Sequence, residues 1–225
     1  MDLGGIAGYR FKDFDHSSHR VLLRWAGAGP GKVLDAGAGF GFLGRPLAAA
    51  GYTVVGLDAN PAAARRAPAE YAAFHTLDVS SAPVLPEAPF DVVVAGDVLE
   101  HVAQPPVALA CLLAQLRPGG RLLISVPNVA FAAVRLELAA GRFQYRPRGI
   151  LDETHLRFFT RRSFRRLMSD AGLTLVRMMG VPAPLPLLSR RFATVPGRFV
   201  FDATALAARL WPTLLAYQFV AETRR

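Results

Sequence analysis

Three glycines at alternate positions, Gly37, Gly39 and Gly41, stand where a short apolar run (KVLDA, Lys32 to Ala36) gives way to helical periodicity. Such a turn needs glycine, because the backbone bends sharply and a ligand must approach with no Cβ in the way. Acids close the neighbouring apolar runs: Asp35 ahead of the first glycine, Asp58 after YTVVGL, Asp78 after a third run and Asp97 after FDVVVAG. At the end of the second run, a carboxylate can grip both hydroxyls of a ribose through charge-assisted hydrogen bonds. Gly39-Phe40-Gly41-Phe42-Leu43-Gly44 also fits the G-x-G-x-x-G fingerprint, with Asp58 about twenty residues on. Taken alone, the loop leaves a nicotinamide dinucleotide and a sulfonium nucleoside both open.

Three features favour the sulfonium nucleoside. Asp35 puts a negative charge where a cationic amino acid moiety is welcome and a pyrophosphate is not. Asp78 is positioned to accept a hydrogen bond from an adenine amino group. The chain beyond the fifth apolar run is also short for a dehydrogenase substrate domain.

Transfer of a methyl group from a sulfonium is an in-line displacement that needs alignment and, for a hydroxyl acceptor, a general base. Histidine suits that task, and His155 and His101 are the two candidates. His155 lies in an irregular segment expected to roof the reactive end, and His101 follows Glu100 just after the fourth run. His16, His19 and His75 read as surface or packing residues. Tyr145, Asp152 and Arg157, with Arg142, Arg146, Arg148 and Phe143, surround the same irregular segment and are candidates for holding an anionic acceptor. No His, Cys, Asp and Glu spacing matches a metal site, since the Asp152, Glu153, His155 grouping is too common to count as one.

The elements that must position these residues follow from periodicity. Apolar runs of strand length alternate with helical stretches, the pattern of a parallel sheet covered on both faces. Strands are predicted at Lys32–Ala36, Tyr52–Asp58, Ala72–Leu77, Phe90–Ala95, Arg121–Val126 and Leu173–Met179, with a last strand at Leu214–Thr223. Helices are predicted at His16–Ala26, from the glycine loop to Ala50, from Pro61 behind an Asn60 cap, and at Pro105–Leu116, Arg161–Ala171 and Phe199–Leu210. Two excursions, 128–160 and 181–212, interrupt the alternation and are expected to form lid or acceptor-site insertions on a single domain spanning 1–225, with 1–30 as a helical cap.

Charge is unevenly spread. The net +9 divides into −1 up to Val134 and +10 from Arg135 onward. A basic half of this kind suits an anionic substrate or lipid headgroups, and no nucleic-acid motif accompanies it. Phe192, Phe199, Phe201, Leu206, Leu210 and Trp211, beside Arg190, Arg191, Arg198 and Arg209, make the second excursion a lid, a peripheral membrane contact or a dimer surface. The chain is thus expected as a monomer or homodimer. The lone Cys111 excludes an internal disulfide, and with no signal or spanning segment the expected location is cytoplasmic.

In order and spacing, VLDAGAGFG, VVGLDANP, TLDVSS, FDVVVAGDVLEHV and LRPGGRLLISVPN resemble the successive motifs of class I S-adenosylmethionine-dependent methyltransferases. The likeness is greatest to the small-molecule branch that includes ubiquinone-biosynthesis O-methyltransferases, and it covers Val33 to Asn128. RGILDETHLRFFTRRSFRRLMSDAGL further resembles bacterial polysaccharide and secondary-metabolite methyltransferases. The resemblance implies an α/β, Rossmann-like seven-stranded sheet with helices on both faces and an antiparallel last strand. It implies S-adenosyl-L-methionine as cofactor and S-adenosyl-L-homocysteine as product. The backbone around Gly37 and Gly96 would hold the methionine end and Asp58 the ribose. Ala59 would flank the adenine, Asp78 and Val79 would read its edge, and Asp97 would touch cofactor or acceptor. The expected activity is O-methylation of a small, anionic or sugar-containing acceptor. N-methylation, a nicotinamide oxidoreductase and a cofactor-binding module without catalysis are the rivals.

Overall fold

A computed structural model describes residues 12–66, 69–189 and 194–225. Residues 1–11 of the expected cap, and Arg190, Arg191 and Phe192 of the second excursion, lie outside the described residues. The strands are β1 (Gly31–Ala36), β2 (Tyr52–Asp58), β3 (Tyr71–Thr76), β4 (Phe90–Gly96), β5 (Leu116–Pro127), β6 (Thr174–Val181) and β7 (Gln218–Arg224). They form one sheet in the order β3-β2-β1-β4-β5-β7-β6. β1 pairs in parallel with β2 and β4, while β7 runs antiparallel between β5 and β6. The helices are α1 (Ser18–Ala26), α2 (Gly44–Ala49), α3 (Pro61–Arg66), α4 (Pro105–Ala114), α5 (Ala132–Ala139), α6 (Arg161–Asp170), α7 (Leu185–Leu188), α8 (Val195–Leu210) and α9 (Pro212–Leu215). Among the described residues no helix is long and apolar enough to cross a membrane.

Alternate residues of the central strands face opposite cores, which is why these strands read as nearly continuous apolar runs. Val33, Val92 and Val94 pack with Val21, Leu22 and Trp25 of α1 and Leu47 of α2. Leu34, Phe90, Val93 and Ala95 pack on the other face with Leu109 and Leu112 of α4 and Phe164 and Met168 of α6. α6 begins at a capping box, in which the Thr160 hydroxyl accepts from Ser163 N–H and the Ser163 hydroxyl accepts from Thr160 N–H. Asn60 caps α3 as its sequence indicates, its Oδ1 accepting from Ala62 N–H at 2.9 Å.

The end of the chain differs from the expectation of a strand over Leu214–Thr223. Pro212 to Leu215 form α9 instead, and the strand starts at Gln218. Proline is at home in a helix's first turn, and a short apolar run cannot itself distinguish strand from helix. Gly180 of β6 explains the close fit there, since a Cβ on it would lie 2.6 Å from the Ala216 Cβ and 2.5 Å from the Ala208 carbonyl oxygen. α8 likewise starts at Val195, four positions ahead of the expected Phe199, with Pro196 in its first turn. The first excursion carries its own helix, α5, over a small core of Val134, Ile150 and Leu151.

Two expectations follow from this packing. Phe219 of β7 is fully buried, so Phe219→Ala should cost about 3–5 kcal/mol of unfolding free energy in a urea titration. Asp35 of β1 is 2% exposed, and burial pushes its carboxyl up to about 6 despite the Tyr71 hydroxyl donating to its Oδ2 at 2.6 Å. A raised folded-state value gives stability that is complete at low pH and lost as pH rises through the folded value. The unfolding free energy of the native chain should therefore fall by ~3 kcal/mol between about pH 4 and about pH 7 relative to Asp35→Asn, measured by denaturant titration at each pH.

Candidate active site

The carboxyl ends of β1, β2 and β4 converge on the glycine loop. Gly37 has φ +70° and would drive a Cβ to within 2.4 Å of Val98 Cγ2, so conformation and space both demand glycine. Gly39 has φ +52°, but a Cβ there would meet nothing within 4 Å. One glycine is needed for the protein's own packing, and the other keeps its surroundings open. The loop is tied to β2 by Gly37 N–H and Ala38 N–H, which both donate to the Leu57 carbonyl, at 2.7 and 3.0 Å. Gly41 N–H closes the turn onto the Ala38 carbonyl at 2.9 Å.

Asp58 anchors the same corner. Its Oδ2 accepts from Gly39 N–H and its Oδ1 from Asn60 N–H, each at 2.8 Å. Two adjoining cavities meet at this carboxylate. One, of about 220 Å³, is lined by Asp35, Gly39, Phe40, Gly96 and Asp97, with Lys12 and His19 from the N-terminal segment. The other, of about 270 Å³, is lined by Ala59, Asp78, Val79, Val98 and His101. Gly37, Asp58 and Asp97 belong to both, so the two form one trench across the strand ends. Of the sequence-predicted cofactor residues, only Gly41 is outside the lining, where it closes the turn beneath.

Asp97 sits at a strained position, with φ 56° in a non-glycine residue. Its Oδ2 accepts from Lys12 Nζ at 2.8 Å and from Gln218 Nε2 at 2.9 Å, and its Oδ1 accepts from the Ser125 hydroxyl at 2.5 Å. Burial alone would raise its pKa, but the Lys12 ammonium and these hydrogen bonds outweigh it and hold the carboxyl well below the usual carboxylate range. Burial beside the Lys12 charge lowers His19 to about 4, which keeps it neutral as it accepts from Lys12 N–H at 3.1 Å. Lys12, His19, Ser125 and Gln218 were not legible as site residues, because each reaches the trench from far along the chain.

The histidines meet at the trench wall. His101 and His155 lie edge to face with ring centroids 4.8 Å apart, although 54 positions separate them. His101 lines the trench, whereas His155 is 6% exposed and sits behind it. His155 Nδ1 lies 3.0 Å from the Ile150 carbonyl, and burial lowers its pKa. Glu100, 1% exposed, lies beside both rings, and burial raises its carboxyl well above the usual range. The excursion is clamped here, because Leu156 and Arg157 N–H both donate to the Glu100 carbonyl.

Of the expected acceptor residues, Asp97 lines the trench, whereas Tyr145, Asp152 and Arg157 fall outside its lining. Asp152 is 1% exposed, and its Oδ1 accepts from Thr154 N–H and the Thr154 hydroxyl at 2.8 and 2.6 Å, so it braces its own loop. Arg157 Nε donates to the Ala103 carbonyl at 2.8 Å, fastening the excursion to the β4–α4 connection. Tyr145 is exposed and packs edge-on against Phe143, and Arg146 pairs with Glu137. A wider cleft of about 430 Å³, between the N-terminal segment and α8, holds Arg24, Arg198 and Arg209 with Asp15 and Asp202. No glycine-loop residue lines it, and its opposite charges largely compensate one another.

A family model described as a methyltransferase domain matches residues 6–178. The ubiquinone biosynthesis O-methyltransferase of Cupriavidus pinatubonensis is 30% identical over 183 residues, which cover 74% of this chain and 71% of that protein. The protein of the same name from Parvibaculum lavamentivorans is 34% identical over 161 residues, covering 67% and 61%. Among solved structures, the magnesium protoporphyrin IX methyltransferase of Synechocystis superposes with a TM-score of 0.64 at 18% identity, over 93% of this chain and 83% of that one. The 1,6-didemethyltoxoflavin-N1-methyltransferase of Burkholderia thailandensis gives 0.58 at 23%, over 94% and 79%. The seven-stranded fold agrees with these neighbours, and the family match sets the nicotinamide alternative aside. With an open glycine loop and a carboxylate at the tip of β2, the trench fits a nucleoside cofactor, and the chain belongs to the class I S-adenosylmethionine-dependent methyltransferases.

Proposed function

We propose that this chain transfers a methyl group to an oxygen of a small acceptor, with the trench holding the cofactor and the His101 edge receiving the acceptor. The observation that carries this reading is the shared wall in which Asp58, Asp97 and His101 line one continuous opening. The O-methyltransferase names of the relatives, at 30% and 34% identity, support oxygen as the atom methylated. The cofactor, when bound, supplies an electrophilic methyl on a sulfonium, so the protein's task is alignment and proton removal.

The chain's own groups divide this work. Asp58, already oriented by two backbone N–H donors, presents its remaining lone pairs to the ribose hydroxyls. Gly37 and Gly96 let the methionine end lie against backbone, beside the Asp35 carboxyl. Ala59, Asp78 and the Val79 backbone bound the adenine end. Asp97, held ionised by Lys12, places a fixed negative charge near the positive sulfonium and keeps that end of the trench polar. His101 Nδ1 lies 3.3 Å from the Thr154 carbonyl and 3.2 Å from the Thr154 hydroxyl, whose own proton goes to Asp152, so both can only accept, the proton stays on Nδ1 and Nε2 is the basic nitrogen. The acceptor's proton leaves at this edge, with His155 in support. Tyr145 and the arginines of the excursion serve at most as an outer rim for an anionic acceptor.

Two measurements test this assignment. Asp58→Ala should weaken cofactor binding by about 2 kcal/mol in calorimetry, while Asp58→Asn, which keeps the shape, loses less. With a labelled methyl group and a panel of phenols, sugars and amines, label should appear as methyl ether, and His101→Ala should lower turnover about a hundredfold while sparing cofactor affinity. Label on amines alone would overturn the assignment to oxygen.

A further inference from the structure

α8 turns two apolar faces to its surroundings, and only the smaller one is covered. Phe201, Ala205 and Ala208 are buried, with the Ala208 backbone against Gly180 of β6. Phe199, Ala203, Leu206 and Leu210 recur at helical spacing on a different side, with Val200 and Trp211 beside them. Phe199, Leu210 and Trp211 are 72, 77 and 61% exposed, and Val200 and Leu206 are each more than half exposed. The charged side chains Arg198, Asp202 and Arg209 keep to one narrow flank between the two apolar sectors. A surface helix of a chain that works alone has the reverse pattern, its apolar stripe inward and its polar face in water. The five exposed side chains present on the order of 600 Å² of apolar surface, an aromatic ring alone carrying roughly 150–250 Å². That reaches the top of the range of about 300–600 Å² for the largest patch on a typical monomer.

We propose that this face docks on the same face of a second copy of the chain, giving a two-fold dimer joined across paired α8 helices. The inference is independent of the acceptor and of the atom methylated. Area is the first argument for a second copy, because the patch counted twice amounts to about 1,200 Å², the size at which specific interfaces begin. Shape is the second. A two-fold axis running across the helices sets them antiparallel and makes the patch meet itself. Phe199 then lies opposite the partner's Leu210, and Ala203 opposite the partner's Leu206. Small meets large at the centre, as interdigitating helices require. The same operation brings like flanks together, so Asp202 comes within a turn of the partner's Arg209 and opposite charges meet at the rim. A lipid surface is the poorer match, since a helix lying on headgroups carries a cationic polar face. Here Asp202 sits among the arginines of the flank, and Asp15 lies 3.4 Å from Arg198, so the positive charge is largely balanced.

Sedimentation velocity on the full chain over a dilution series tests this. The expected result is a monomer–dimer equilibrium that Leu206→Glu, which sets a charge in the middle of the apolar face, weakens by more than about tenfold. Leu206 is exposed within one chain, so the variant should fold, with the circular dichroism spectrum of the native protein as the check. Val84→Glu, an equally conspicuous exposed apolar position on the connection between β3 and β4, should dimerise as the native chain does. A native chain that stays monomeric at every concentration, or a dimer that Leu206→Glu leaves intact, would overturn the proposal. So would flotation of a monomeric native chain with phosphatidylglycerol vesicles, lost in Leu206→Glu, because that result assigns the face to a lipid surface.

Discussion

The carboxylate of Asp58 holds two turns of backbone at once, the glycine loop through Gly39 and the start of α3 through Asn60. The rest of the trench depends on that double grip. β1 and β2 must lie side by side for the carboxylate to reach across, and their parallel register places Ala36 beside Leu57. With the loop fixed, Gly37 can sit against Val98 at the end of β4 and Gly39 can face open space. A carboxylate whose two oxygens already accept backbone protons is also oriented in advance, so binding a diol costs it little rearrangement.

Electrostatics in the trench are set by burial and by who arrives from elsewhere. Asp35 and Asp97 end neighbouring strands and are both nearly enclosed, yet their environments push them in opposite directions. Asp35 meets the Tyr71 hydroxyl and the Gly44 backbone donor, and burial, helped by the nearby Asp58 charge, wins. Asp97 meets the Lys12 ammonium, Ser125 and Gln218, and the charge is retained. Two acids at equivalent places can thus offer a proton-sharing group and a permanent anion.

Much of the fold was legible because its signals are local. Alternating apolar runs gave six strands, five of them within two residues of their observed limits and β5 short by five at its start, because Leu116 to Gly120 read as a helix end and a turn; the antiparallel seventh came from family resemblance. The glycine loop, Asp58 and Asp78 stood out because each ends a run. What stayed hidden was set by distance along the chain. Lys12 and Gln218 meet at Asp97 across 206 positions, and His101 meets His155 from a separate segment of the chain. Asp152 misled for the opposite reason. Its neighbourhood looked chemical, but a short acid two residues before a threonine readily turns inward to brace its own backbone. α9 was misread because a four-residue apolar stretch carries no period.

β7 occupies an inner position of the sheet, with ladders to β5 on one side and β6 on the other. Of the elements described, it is the last to leave the ribosome. Until it arrives, β5 and β6 have a gap between them and expose two rows of unpaired backbone groups, a template for unwanted association. Closing that gap joins residues about a hundred positions apart, as between Arg121 and Arg224, so assembly is non-local and correspondingly slow. A nascent chain halted before β7 would carry most of the core side chains and still lack the piece that seals the sheet, which makes this half of the molecule the part most in need of chaperone cover during synthesis.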